Sequence, residues 1–136
     1  MMKRIAFLLM IFCSFQKVQS QTASVVKGDD VNEIYNSAGV DIKPEFPGGY
    51  EKFYKYIGST FKAPNVPGLS GKILVSFVIE KDGSVTDIRV LRDIGYGTNE
   101  EAIRVLKNSP KWIPAEQNGK KVRCSFMLPI NIDTTK

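Results

Sequence analysis

Residues 72–91 read KILVSFVIEKDGSVTDIRVL, and this stretch decides the fold. Before its central turn, apolar side chains recur at every second position, at Ile73, Val75, Phe77 and Ile79. A period of two with many β-branched residues is typical of a strand with one buried face. Residues 81–83 supply a glycine-containing turn, and the apolar residues between Val85 and Leu91 continue the pattern. The stretch therefore predicts two antiparallel strands joined as a hairpin.

A third strand is predicted near the end of the chain. Its alternating apolar residues are Val122, Cys124, Phe126, Leu128, Ile130 and Ile132. Pro129 has no backbone N–H, so it belongs to a sheet edge or to a position whose amide faces outward. Cys124 falls on the inward face, and we expect it to be buried rather than to form an intermolecular disulfide.

Two helices are predicted, one before the hairpin and one after it. The first is indicated by apolar residues at spacings of three and four, which are Tyr50, Phe53, Tyr54, Ile57 and Phe61. We expect this stripe to pack in the core and the helix to end near Gly58. Thr98 and Glu101 have the spacing of a capping box, which predicts the start of the second helix. Its expected buried residues are Ala102, Ile103 and Leu106, and Pro110 stops it.

The order helix, strand, strand, helix, strand predicts an α+β domain, with a three-stranded antiparallel sheet and two helices packed on one face. We place the folded domain at residues 43–136, because a rigid Pro- and Gly-rich segment begins after Lys43. Residues 21–42 are polar and without sustained period, and they are interpreted as a flexible N-terminal arm. Phe46, Trp112 and Pro114 are expected to have structural roles, packing the segments that flank the sheet.

Residues 1–20 have the layout of a secretory signal peptide, with a basic start, an apolar run from Ile5 to Phe15 and a small residue, Ser20, before the expected cleavage site. The apolar run is roughly half of the 20 residues that a membrane-spanning helix needs. We expect an exported protein after cleavage, and an uncleaved N-terminus retained in a membrane is the alternative. Phe12 before Cys13 argues against lipidation.

Composition excludes several functional classes. The chain has no histidine, which removes the usual catalytic triads and histidine metal sites. Cys124 is the one cysteine outside the signal-like segment, so a thiolate zinc site is not expected. We therefore predict no enzymatic activity, no catalytic residues, no metal and no cofactor.

Charge excludes a further class. The formal net charge of +5 falls to +2 without Lys3, Arg4 and Lys17 of the signal-like segment. A nucleic-acid binder is not indicated, because such proteins cluster basic residues on one face. The short basic cluster at residues 120–123 is explained as a solvated strand end.

Several short motifs, taken in order, resemble the TonB C-terminal domain family, most closely its short-linked Bacteroidetes form. The motifs are PEFPGG at 44–49, GKILVSFVI at 71–79, DGSV at 82–85, EAIRV at 101–105, PKWIPA at 110–115, NGK at 118–120 and LPI at 128–130. The likeness covers about Val40 to Ile132.

The resemblance implies a periplasmic module that binds the TonB box, a short extended peptide of TonB-dependent outer-membrane transporters, in transmembrane transport of nutrients. In the family the peptide adds to the edge of the final strand, which is β-augmentation. Carried over to this chain, the peptide-binding positions are Arg123, Ser125, Met127 and Asn131. The alternative is a non-energising structural or assembly protein of the envelope, through pairing of two domains as a homodimer or through contact with peptidoglycan.

Overall fold

The computed structural model describes residues 32–135. Two helices and five strands follow one another along this part of the chain. They are β1 (Ile34–Asn36), α1 (Tyr50–Thr60), β2 (Ser70–Ile79), β3 (Val85–Arg92), α2 (Thr98–Lys107), β4 (Ala115–Gln117) and β5 (Lys120–Asp133).

The sheet is built around β5. This strand pairs antiparallel with β2 from Ser70↔Asp133 to Ile79↔Cys124, and β2 pairs antiparallel with β3. On its other side β5 pairs parallel with β1, and its first three residues pair antiparallel with β4. The predicted α+β class with two helices is confirmed, as are the hairpin and the long last strand. The sheet is larger than predicted, because β1 and β4, of three residues each, join the three long strands.

Both helices pack on one face of the sheet. The four alternating residues of β2, Ile73, Val75, Phe77 and Ile79, are completely buried there. They meet Phe53 and Ile57 of α1 and Val105 and Leu106 of α2 in a single cluster. Burial of apolar surface at about 25 cal/mol per Å² makes this cluster the main source of stability.

The stripe predicted for α1 is only partly right. Phe53 and Ile57 are buried, but Tyr50 and Tyr54 are each 57% exposed. Tyr56, which the sequence pattern left out, packs against the core instead, and its hydroxyl donates to the Val105 carbonyl oxygen at 2.7 Å. The inward face of α1 is therefore narrower than the spacing of aromatic residues indicated, and it is turned toward α2.

The helix α2 begins at Thr98 as predicted, but the capping box is wrong. Gly97 occupies the N-cap position in a left-handed conformation, and no side chain caps the helix. The buried Thr98 hydroxyl donates to the Gly95 carbonyl oxygen at 2.6 Å. Glu101 instead accepts from Arg104 Nε at 2.9 Å and from the Lys62 backbone N–H, and the Arg104 bond holds its pKa at about 2. The Lys62 bond, together with the donation from Arg104 Nη2 to the Thr60 carbonyl oxygen at 2.7 Å, ties the start of α2 to the end of α1.

An aromatic cluster lies where the segments flanking the sheet meet. Trp112 is at its centre, with ring centroids 4.9 to 5.8 Å away, and its neighbours are Phe46, Phe53, Phe77 and Phe126. Phe46 and Trp112 are buried, whereas Pro114 is half-buried. The backbones of Glu45 and Ile113 bridge these two segments through a pair of hydrogen bonds of 2.7 and 3.0 Å.

The described part of the segment expected to be a flexible arm lies against the domain. Its strand β1 pairs with β5, Val40 is buried, and Ile42 forms a two-bond bridge with Glu116. The ordered unit thus starts upstream of Lys43. The sequence did not indicate this start, because a three-residue strand and a single bridge leave no periodic pattern. Residues 1–20 and 21–31 lie outside the described residues.

Cys124 is buried in a second, smaller cluster with Val40, Ala115 and Val122. Burial raises the pKa of its thiol to about 11. The thiolate is the reactive form, so we expect Cys124 to react with a thiol reagent at pH 8 at least 100-fold more slowly in the folded protein than in urea. Following colour release from an aromatic disulfide reagent measures both rates. Comparable rates would show that the thiol is accessible.

Candidate functional site: the outer edge of the last strand

The side of β5 that faces away from β2 is only partly covered. The Ser37 N–H donates to the Ser125 carbonyl oxygen at 3.1 Å on this side, so the backbone groups of Ser125 point away from β2. Since backbone groups alternate along a strand, those of Met127, Pro129 and Asn131 point the same way. Within residues 32–135, no strand pairs with β5 on this side beyond Ser125. We call the stretch from Phe126 to Asp133 the open edge.

Pro129 fits this arrangement. It lies opposite Leu74 of β2 with no break in the pairing of the two strands. Its missing N–H is therefore on the outer side, where no ladder hydrogen bond with β2 is lost. The open edge offers the N–H groups of Met127 and Asn131 as donors and the carbonyl of Pro129 between them as an acceptor.

Two of the four predicted peptide-binding residues lie on the open edge. Met127 is 55% exposed and Asn131 is exposed. The other two, Arg123 and Ser125, lie further upstream on β5, where β1 already occupies the edge. Ile34 pairs with Arg123 and Asn36 with Ser125, and the Ser125 hydroxyl donates to the Tyr35 carbonyl oxygen at 3.3 Å.

Arg123 is held by an ion pair. Its Nε and Nη2 donate to the two carboxylate oxygens of Glu80 at 2.7 and 3.0 Å, a bidentate geometry, and its Nη1 donates to the Asn32 carbonyl oxygen at 3.1 Å. The Arg123 hydrogen bonds lower the pKa of Glu80, and the Thr86 hydroxyl, which donates at 2.6 Å, adds to this effect. Both ends of the pair are only partly exposed. Arg123 thus links the end of β2 to the strand β1.

A groove runs beside the open edge, between α1 and β5. One part of about 280 Å³ is formed by Tyr54, Ile57 and Gly58 of the helix together with residues 128–131 of β5. It continues past Phe61 and Ala63 toward Asp133. No pattern in the sequence predicted this groove. The one available signal was Gly58, since glycine in a helix interior costs about 0.5–1 kcal/mol relative to alanine.

The geometry defines a two-layer α+β domain with one partly covered edge strand. Residues 67–133, which include β2 to β5 and α2, match the family model described as Gram-negative bacterial TonB protein C-terminal. This part of the chain belongs to the TonB C-terminal family, as its sequence motifs indicated. The family is a non-enzymatic, envelope-associated domain of transport systems.

A comparison with curated proteins gives no match. Neither helix between residues 32 and 135 is long and apolar enough to cross a membrane.

Proposed function

We propose that this protein is a periplasmic, TonB-like peptide-binding module that engages TonB-dependent outer-membrane transporters in nutrient transport. The observation that carries the proposal is the open edge of β5, whose main-chain donors and acceptors point outward without a partner strand among the described residues. An extended peptide that adds to such an edge gains main-chain hydrogen bonds along its length, and its alternate side chains give selectivity. The contacts of a TonB box would then begin at Met127 and extend to Asn131.

The position of β1 divides the proposed site in two. Met127 and Asn131 are accessible as they stand, whereas Arg123 and Ser125 are engaged with β1 and Glu80. A peptide of four or five residues can pair with the open edge without disturbing β1. A longer peptide has to displace β1 to reach Ser125.

A titration tests the proposal. The protein, expressed from residues 1–136 and purified in the form to which the cell processes it, is labelled with ¹⁵N and mixed with TonB-box peptides from transporters of the same organism. We expect saturable shifts of the amides from Phe126 to Asp133, largest at Met127 and Asn131. The intact mass of the same sample shows whether residues 1–20 have been removed.

The outcome also separates the two candidate functions. A folded protein whose amides do not shift with any of the peptides contradicts transporter binding by strand addition. Concentration-dependent shifts of the same amides without peptide, with a doubled mass in sedimentation, would point to pairing of two domains through the open edge.

A further inference from the structure

The groove between α1 and β5 is placed to receive side chains from a strand that pairs with the open edge. Leu128 and Ile130 point to the helix side of the sheet, and their side chains form the groove together with Tyr54, Ile57 and Gly58. Directly opposed residues of paired strands share a face of the sheet. Side chains of an added strand opposite Leu128 and Ile130 would therefore enter the groove.

The strand β1 shows how the outer edge of β5 holds a paired strand: every second side chain of that strand points toward the helix side of the sheet. Tyr35 pairs with Cys124, and its side chain packs against the small cluster that contains Cys124, Val40 and Val122. The groove lies on the same face of the same strand, four to six residues further along. The open edge is thus continuous with an edge that already holds an extended segment by main-chain bonds and one inward side chain.

Gly58 keeps the groove open. A Cβ added to Gly58 would have no atom within 4 Å, and its backbone is helical rather than left-handed. Neither the backbone nor the packing of the described residues requires glycine at this position. Because Gly58 lines the groove and the space around its Cβ position is empty, a larger side chain here would take up room in the groove.

The chemistry of the lining defines the occupant. The part of the groove beside Leu128 and Ile130 contains no charged side chain among the described residues. Burying a charge there without a partner would be strongly unfavourable, whereas an aliphatic side chain gains free energy by leaving water. Its volume of about 280 Å³ accommodates a branched aliphatic side chain.

We propose that this groove is a specificity pocket for an aliphatic side chain of an extended peptide whose backbone pairs with the open edge. The proposal rests on the proposed function, because it requires strand addition at β5. It adds a selection rule: apolar residues are required at alternate peptide positions, those that face α1, and are not required at the positions between them.

Two variants of α1 test the pocket. Gly58→Leu should fill the groove and weaken binding of the peptide that saturates the unchanged protein at least tenfold in Kd. Lys55→Leu adds the same side chain to an exposed position of the same helix that does not line the groove, and its Kd should change less than twofold. Fluorescence anisotropy of the labelled peptide gives the Kd, and circular dichroism shows that each variant is folded.

A scan of the peptide tests the pocket without changing the protein. Each position of the same peptide is replaced by aspartate in turn. We expect losses of tenfold or more at alternate positions and changes of less than threefold at the positions between them. This scan remains decisive if Gly58→Leu does not fold.

The outcomes distinguish the two proposals. If the unchanged protein binds a peptide but Gly58→Leu binds it equally tightly, or if the aspartate scan shows no alternation, the pocket is wrong and strand addition stands. If Lys55→Leu weakens binding as much as Gly58→Leu, the pocket is also wrong. If no peptide binds the unchanged protein, both proposals fail.

Discussion

Replacing Gly83 by alanine is expected to lower the free energy of unfolding by about 4 kcal/mol or more, a large part of the roughly 5–15 kcal/mol typical of a domain. A Cβ at this position would lie 1.9 Å from the Trp112 carbonyl oxygen and 3.0 Å from the Trp112 backbone nitrogen. The Trp112 N–H donates to the Gly83 carbonyl oxygen at 2.8 Å, so the two backbones cannot separate without losing this bond. Gly83 also has a φ of +85°, which disfavours any other residue.

Gly119→Ala is the matched control for this change. Gly119 has a φ of +76°, but a Cβ there would have no atom within 4 Å. It should cost only the penalty of the left-handed conformation, about 1–2 kcal/mol. Urea unfolding followed by circular dichroism gives both values. Equal losses at Gly83 and Gly119 would mean that the close approach to Trp112 has no energetic effect.

Trp112→Ala is expected to destabilise the domain by about 3–5 kcal/mol, the range for removing a large aromatic side chain from a core. The indole contacts four phenylalanine rings from α1, β2, β5 and the segment before α1. Its removal leaves a cavity that these elements share, and it takes away edge-to-face ring contacts, each worth about 0.5–1.5 kcal/mol beyond burial. The loss is measured by the shift of the urea midpoint.

Tyr50→Ala provides the comparison for Trp112. Tyr50 is an aromatic residue of α1 with 57% of its surface exposed, and its removal should cost less than about 1 kcal/mol. A similar cost for Tyr50 and Trp112 would contradict the central position of the indole in the aromatic cluster.

The long strands could be predicted from the sequence because burial of one face imposes a period of two over eight or more residues. Pro129 adds a constraint on β5, since its nitrogen has to face away from β2. Short elements leave no such pattern. The strands β1 and β4 are three residues long, and their pairing with β5 depends on contacts distant in sequence.

The errors in the helices have a related cause. Spacing identified α1, but the choice between Tyr54 and Tyr56 as the inward residue depends on how α1 is oriented over the sheet. At α2, the Thr98 hydroxyl donates to the Gly95 carbonyl oxygen and Glu101 accepts from Arg104, so neither side chain caps the helix. The groove beside the open edge requires α1 and β5 together, so no single segment of sequence contains it.

The pairing of β1 with β5 has a mechanical consequence. A force applied through the chain upstream of Asn32 reaches the sheet first at β1, where the load falls on its short pairing with β5 and on the contact between Arg123 and the Asn32 carbonyl oxygen. These bonds would yield before the hydrophobic core is strained, because the core is anchored by the ten residue pairs of β2 with β5. Tension on that side would therefore separate β1 from β5 and lengthen the free edge of β5 before the core is disrupted.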